Sequence, residues 1–108
     1  MVSFSAAIKE DLGLAAERDG RVWEYHKPAE PFSTIHRHYE LEVNLVIQGT
    51  AAYLLEDRCY ELKPNSLVWL FPEQNHILVD QSAAYRMWIA VFRPEIIVEF
   101  APVLPAGL

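Results

Sequence analysis

The stretch His36-Arg37-His38-Tyr39-Glu40-Leu41-Glu42-Val43-Asn44 sets imidazoles and carboxylates at alternate positions, ahead of an apolar run that stops at Gly49. Side chains alternate across a strand, so His36, His38, Glu40, Glu42 and Asn44 would share one face. Ile35, Tyr39, Leu41, Val43, Leu45 and Ile47 would share the other, with Arg37 the exception. Imidazole nitrogens and a carboxylate are the donors that divalent first-row ions take. The same pattern also describes a half-buried strand whose polar face looks at water. Spacing alone leaves both readings open.

The elements that must position these residues are short. The runs 21–25, 38–48, 50–56, 59–62, 66–71, 76–79 and 84–92 are rich in β-branched and aromatic residues, with turn residues between them. Pro28 and Pro31 keep the approach to the histidines extended or turned. Gly49 and Glu56-Asp57-Arg58 are hairpin corners. Lys63-Pro64-Asn65-Ser66 is a turn with proline preset for its first central position and asparagine tolerating a left-handed second one. Before residue 20 the pattern is helical. Ser5 can cap a stretch in which Ile8, Leu12 and Ala15/Ala16 recur at helical spacing, weakened by Gly13 and closed at Asp19-Gly20. Pro94 opens a segment, 94–100, that suits a helix or a strand. Evenly spaced short strands without βαβ alternation predict an all-β sandwich or barrel. The domain organisation is a short N-terminal helical segment over 1–19, a barrel over 20–97, and a linker or tail over 98–108.

Composition narrows the function. The 108 residues suffice for one small domain, and 52% apolar content supplies its core. A net charge of −6 without a Lys/Arg cluster argues against nucleic acid or anionic membrane binding by this segment. No apolar run is long enough to span a bilayer, and the N-terminus lacks the features of a signal peptide. Cys59 has no cysteine to pair with, which suits a reducing compartment and predicts a cytoplasmic domain. A Gly-rich phosphate loop, a nucleophile elbow and a Cys–His pair are all missing.

The full spacing from His36 through His38 and Glu42 to Gly49 is H-x-H-x3-E-x6-G. It is followed by the turn, apolar strand and histidine of Leu62-Lys-Pro-Asn-Ser-Leu-Val-Trp-Leu-Phe-Pro-Glu-Gln-Asn-His76. In these residues the sequence resembles the cupin superfamily, whose two motifs frame a small double-stranded β-helix, or jelly-roll, barrel. Asn65 stands where the family has a turn glycine. Glu73-Gln74-Asn75 replace a glycine-bearing loop, which leaves open the angle at which His76 enters the barrel. The resemblance implies a metal site of His36, His38, Glu42 and His76 for a divalent first-row ion, with zinc, iron, manganese, nickel and copper not distinguished. Glu40 on the same face would orient an imidazole or remain a solvated carboxylate.

A narrower resemblance covers about Gly20 to Ile97. H-x-H-x-E-L-E-x-N, the apolar run to glycine and the closing Trp88-Ile-Ala-Val-Phe-Arg-Pro-Glu-Ile-Ile97 are similar to the N-terminal sensor domain of AraC-type transcription regulators. This implies a barrel that binds a small-molecule effector or forms a homodimer, with DNA left to a separate downstream domain. Within it, Tyr53, Trp69 and Trp88 are candidates for ligand stacking or for core packing. Arg86 is a candidate partner for a carboxylate effector or a rim charge. The alternative, in a different class, is a stand-alone metal-dependent cupin enzyme of dioxygenase or isomerase type, its ion acting as Lewis acid or binding dioxygen, with Tyr53 or Glu40 assisting. The regulator reading is preferred over an enzyme. Residues 84–92 are apolar on both faces, which predicts burial on both sides or an exposed patch that pairs.

Overall fold

The β-branched and aromatic runs become strands, and the turn residues become the corners between them. The computed structural model describes residues 8–9, 11–14, 19–28 and 35–96, with Ile8 and His36 described by their backbones alone. The strands are β1 (Ile8–Lys9), β2 (Gly20–His26), β3 (His36–Arg37), β4 (Leu41–Gln48), β5 (Ala51–Leu55), β6 (Arg58–Leu62), β7 (Leu67–Leu70), β8 (His76–Val79) and β9 (Arg86–Phe92). They form two sheets, ordered β1-β3-β8-β5-β6 and β2-β9-β4-β7. All pairings are antiparallel except β1 with β3. The all-β architecture is as the strand spacing predicts.

The core lies between the sheets. Val46, Met87, Ile89 and Val91 from one sheet meet Ala51, Tyr53, Leu62 and Leu78 from the other, with Leu70 and Tyr85 closing the cluster. Opposed residues of an antiparallel pair point to the same side. Glu42 opposite Leu70 and Val91, and Asn44 opposite Ile89, therefore put the polar residues of β4 on the core side. Val43 and Leu45 face outward. The strand is amphipathic, as read from sequence, but its polar face looks into the protein.

The described part of the N-terminal segment corrects one expectation. Ile8–Lys9 is a strand on the edge of β3, not part of a helix. Gly13 takes φ 68, and its N–H donates to Asp11 Oδ1 at 2.8 Å, a local turn that competes with helical hydrogen bonding. The rest of the helical stretch, at 1–7, 10 and 15–18, lies outside the described residues, as do 97–108. A helical turn does begin after Pro94, with Ile96 N–H donating to the Arg93 carbonyl at 3.1 Å. Among the described residues no helix is long and apolar enough to cross a membrane.

The turns follow their residues. Asn65 adopts φ 75, and Ser66 N–H closes the turn on the Lys63 carbonyl at 2.9 Å. Glu73, in the loop without glycine, also takes a positive φ of 64. Its N–H donates to the His38 carbonyl at 2.8 Å, and its carboxylate pairs with Lys9 and Arg37. Those contacts hold a conformation that glycine would adopt freely, and the loop delivers His76 into the barrel.

Candidate metal centre

Three of the implied ligands converge. His38, Glu42 and His76 are all buried, and one donor atom from each lies within 4.8 Å of the others. Glu42 is placed by β4, His76 by the first position of β8, and His38 by the bend between β3 and β4. The His38 and His76 rings meet edge to face at 5.0 Å between centroids. His36 pairs in register with His76 across the β3–β8 ladder. Its side chain lies outside the described residues.

Backbone carbonyls set the chemistry of both rings. His38 Nδ1 donates to the Glu40 carbonyl at 3.1 Å, and His76 Nδ1 donates to the Gln74 carbonyl at 2.9 Å. A carbonyl only accepts, so each Nδ1 carries its proton. In the neutral ring Nε2 is then the nitrogen with a free lone pair, the tautomer a metal ligand needs. His38 Nε2 sits 2.9 Å from Glu42 Oε1. Both nitrogens then donate, so the ring is an imidazolium paired with a buried carboxylate. Burial pushes the Glu42 pKa up. The His38 hydrogen bond, the His76 charge, the Asn44 amide and the His38 charge together outweigh that, and hold it below the ordinary carboxylate value. The set therefore fits a divalent cation, which would take the place of the Nε2 proton.

The side chains assigned to ligand contact separate into an inner and an outer group. Glu40 is half-buried beside His38, but its backbone oxygen orients the ring; its carboxylate lies 3.9 Å from Nδ1. Tyr53 is buried in the interior, with its ring 6.3 Å from that of His76. Trp69, Trp88 and Arg86 are on the outer face of the β2-β9-β4-β7 sheet and do not reach the centre. Trp69 is opposite Val43, and Trp88 is opposite Leu45, on the side away from Glu42. Arg86 is bound to Glu24 by its Nε at 2.6 Å and to Gln48 Oε1 by a terminal nitrogen at 3.3 Å. Sequence reasoning placed Asn44 on the right face but gave it no role. Its Nδ2 donates to Tyr53 Oη at 2.6 Å and supports Glu42, while Oδ1 is buried without a protein partner. The step of two from Glu42 was the signal that could have assigned it.

The interior tyrosines bear on alkaline stability. Burial, followed by the Glu42 charge and the neighbouring Tyr85 and Tyr25, raises the Tyr53 pKa well above 10. Burial, then Tyr25, takes Tyr85 to about 12. A folded state that resists ionisation loses stability only once the unfolded chain can ionise, that is, as pH rises past about 10. Urea midpoints are expected to be flat from pH 8 to about 9.5 and to fall steeply above 10, with Tyr53→Phe blunting the fall. An equally steep fall in that variant would take Tyr53 out of the account.

A family model for the AraC-like ligand binding domain matches residues 21–101. The chain belongs to that family. No curated protein matches it. Solved structures place this AraC-like domain among the cupins by fold. A Cupin 2 conserved barrel domain protein from Salinispora arenicola is 18% identical with TM-score 0.55, over 86% of this chain and 81% of that one. An RmlC-like cupin from Methanocaldococcus jannaschii with a double-stranded β-helix fold is 13% identical with TM-score 0.62, over 75% and 76%. A DMSP lyase from Ruegeria pomeroyi is 17% identical with TM-score 0.63, over 80% of this chain and 44% of that one. At these identities the likeness is one of fold.

Proposed function

We propose that this AraC-like domain is the sensor of a transcription regulator, a cytoplasmic barrel that reports a small-molecule effector bound inside it beside a divalent metal ion. His38, Glu42 and His76 hold the ion, with His36 as a fourth ligand, and a separate domain of the regulator binds DNA. The observation that supports this most directly is the convergence of three buried donor groups, with both imidazoles bonded through Nδ1 to backbone carbonyls, which leaves Nε2 as the nitrogen a metal would take. Tyr53 and Asn44, buried next to these donors and bonded to each other, are the uncharged polar groups an effector would meet. No arrangement among the described residues favours the stand-alone enzyme.

The test is metal content per chain by elemental mass analysis, on protein purified without a histidine tag or chelator. About one first-row divalent ion per chain is expected, and His38→Ala should weaken its binding by more than the roughly 10–100-fold that loss of a group merely orienting a ligand costs. A folded wild type that takes up no ion from zinc, manganese, nickel or iron solutions would remove the metal and leave an organic effector alone.

A further inference from the structure

Glu73 is exposed and is not among the donors that converge at the centre, yet it stands in the loop that leads to His76. Its φ of 64 is one that a residue with a Cβ keeps only when something holds it there. Its N–H donates to the His38 carbonyl at 2.8 Å. Its carboxylate oxygens are divided between the Lys9 ammonium on β1 and Arg37 Nε on β3, the latter at 3.4 Å. Lys9 and Arg37 are register partners, so one carboxylate closes over both strands. We infer that Glu73 is a positioning residue for the candidate metal centre: held by these two cations, it fixes the backbone from which His38 and His76 project and so sets the affinity for the ion.

The path from Glu73 to each ring is short. On one side, its N–H binds the backbone of His38 itself, whose ring is bonded in turn to the Glu40 carbonyl. On the other side Gln74 follows directly. Gln74 N–H donates to the Phe71 carbonyl at 3.1 Å, and its side-chain oxygen accepts from Phe71 N–H at 3.1 Å. The turn that Glu73 completes therefore aims the Gln74 carbonyl, and that carbonyl takes the Nδ1 proton of His76 at 2.9 Å. The far end of the loop has its own tie. Asn75 N–H donates to Glu56 Oε1 at 3.0 Å, and Glu56 N–H donates to the Asn75 carbonyl at 3.1 Å.

A lone exposed ion pair contributes little, because water screens it and two long side chains must be ordered. Here two cations share one carboxylate, and the β1–β3 pairing already sets them side by side. Without that carboxylate the backbone at residue 73 is free to leave its positive φ, and a modest rotation there turns the Gln74 carbonyl away from His76. The consequence for affinity rests on the metal reading above. The placement of His76 does not, and can be read without an ion.

Two substitutions separate the carboxylate from the backbone. Glu73→Ala keeps the Cβ and loses the clamp, whereas Glu73→Gly loses the clamp together with the need for it. Nitrogen NMR spectra of the imidazoles, taken on the full chain with chelator, report the Nδ1 proton of His76. It is expected to be hydrogen-bonded in the wild type, to give way to mixed tautomers in Glu73→Ala, and to return in Glu73→Gly. Cobalt(II) titrated into the same proteins should bind about 10–100-fold more weakly to Glu73→Ala, and within about threefold of the wild type to Glu73→Gly. Lys9→Ala combined with Arg37→Ala should repeat the alanine result in the wild-type background and add nothing to Glu73→Gly. A carboxylate that merely stabilises the fold would not be rescued by glycine. A wild type that takes up no cobalt removes the metal reading, and the imidazole spectra then judge Glu73 by themselves. Unchanged His76 signals in Glu73→Ala, or a glycine variant as displaced as the alanine one, overturn the inference.

Discussion

A chelator is expected to lower the Tm of the metal-saturated domain by about 10–20 °C. An ion present at 100 times its Kd stabilises the folded state by about 2.7 kcal/mol, and each kcal/mol moves the Tm of a domain this size by about 4–8 °C. The informative variant is Glu42→Met. Without metal, wild-type Glu42 is a buried carboxylate paired with the His38 imidazolium, and such pairs do not recover the full cost of their desolvation. In the variant His38 can release its Nε2 proton and remain bonded through Nδ1 to the Glu40 carbonyl. No uncompensated charge is then left in the core. Glu42→Met should lower metal-free stability by no more than the cost of a buried imidazole nitrogen left without its partner, about 1–3 kcal/mol, and lose the metal-dependent shift. Calorimetry with chelator and with excess metal reads both quantities. A variant that still shifts with metal would remove Glu42 from the ligand set. One that unfolds without metal would make the carboxylate a structural group instead.

The strands were legible because their β-branched and aromatic runs are bounded by turn residues that do what their chemistry allows, as Asn65 shows with φ 75. His38, Glu42 and His76 were legible because a two-residue step and a motif spacing depend only on local order. What local order does not carry is register. In Leu67-Val68-Trp69-Leu70, Leu70 is opposite Glu42 and points inward, so Trp69 is opposite Val43 and points out. The habit of sending the largest apolar side chain to the core would choose the opposite. The register decides instead: the side of β7 that faces His38, Glu42, Asn44 and His76 carries Leu70, and Trp69 falls on the other. The helical reading fails at Ile8 and Lys9 for a related reason: they gain ladder partners on β3 that a helical period cannot reveal. The loop before His76 shows the converse. Glu73 bears a positive φ without being glycine because Lys9, Arg37 and the His38 carbonyl, all remote in sequence, hold it there.

Gly49 closes the motif that begins at His36, and its role is mechanical rather than chemical. Gly49→Ala is expected to cost about 3–4 kcal/mol, from the left-handed backbone and from overpacking together. At φ 78 a Cβ would lie 2.5 Å from Ser82 Oγ, 2.9 Å from Tyr85 Cα and 3.0 Å from Tyr85 N. None of these neighbours moves cheaply. Ser82 Oγ accepts from Thr50 N–H at 2.9 Å, and Ser82 N–H donates to the Thr50 carbonyl at 2.8 Å. Tyr85 is buried, and its carbonyl accepts from Lys27 N–H at 3.2 Å. Gly13 provides the control, because it has the same sign of φ, at 68, and nothing within 4 Å of a built Cβ. Gly13→Ala should cost about 1 kcal/mol, the backbone contribution alone. Urea unfolding in the presence of chelator, so that metal linkage does not enter, should separate the two by at least about 2 kcal/mol. Equal losses would mean that φ alone demands the glycine and that the Ser82–Tyr85 corner yields. A large loss at Gly49 with metal stoichiometry unchanged in the cold, folded variant would locate the motif's last residue in the clasp between β4 and β9, the two strands that carry Glu42 and Trp88 to opposite sides of the same sheet.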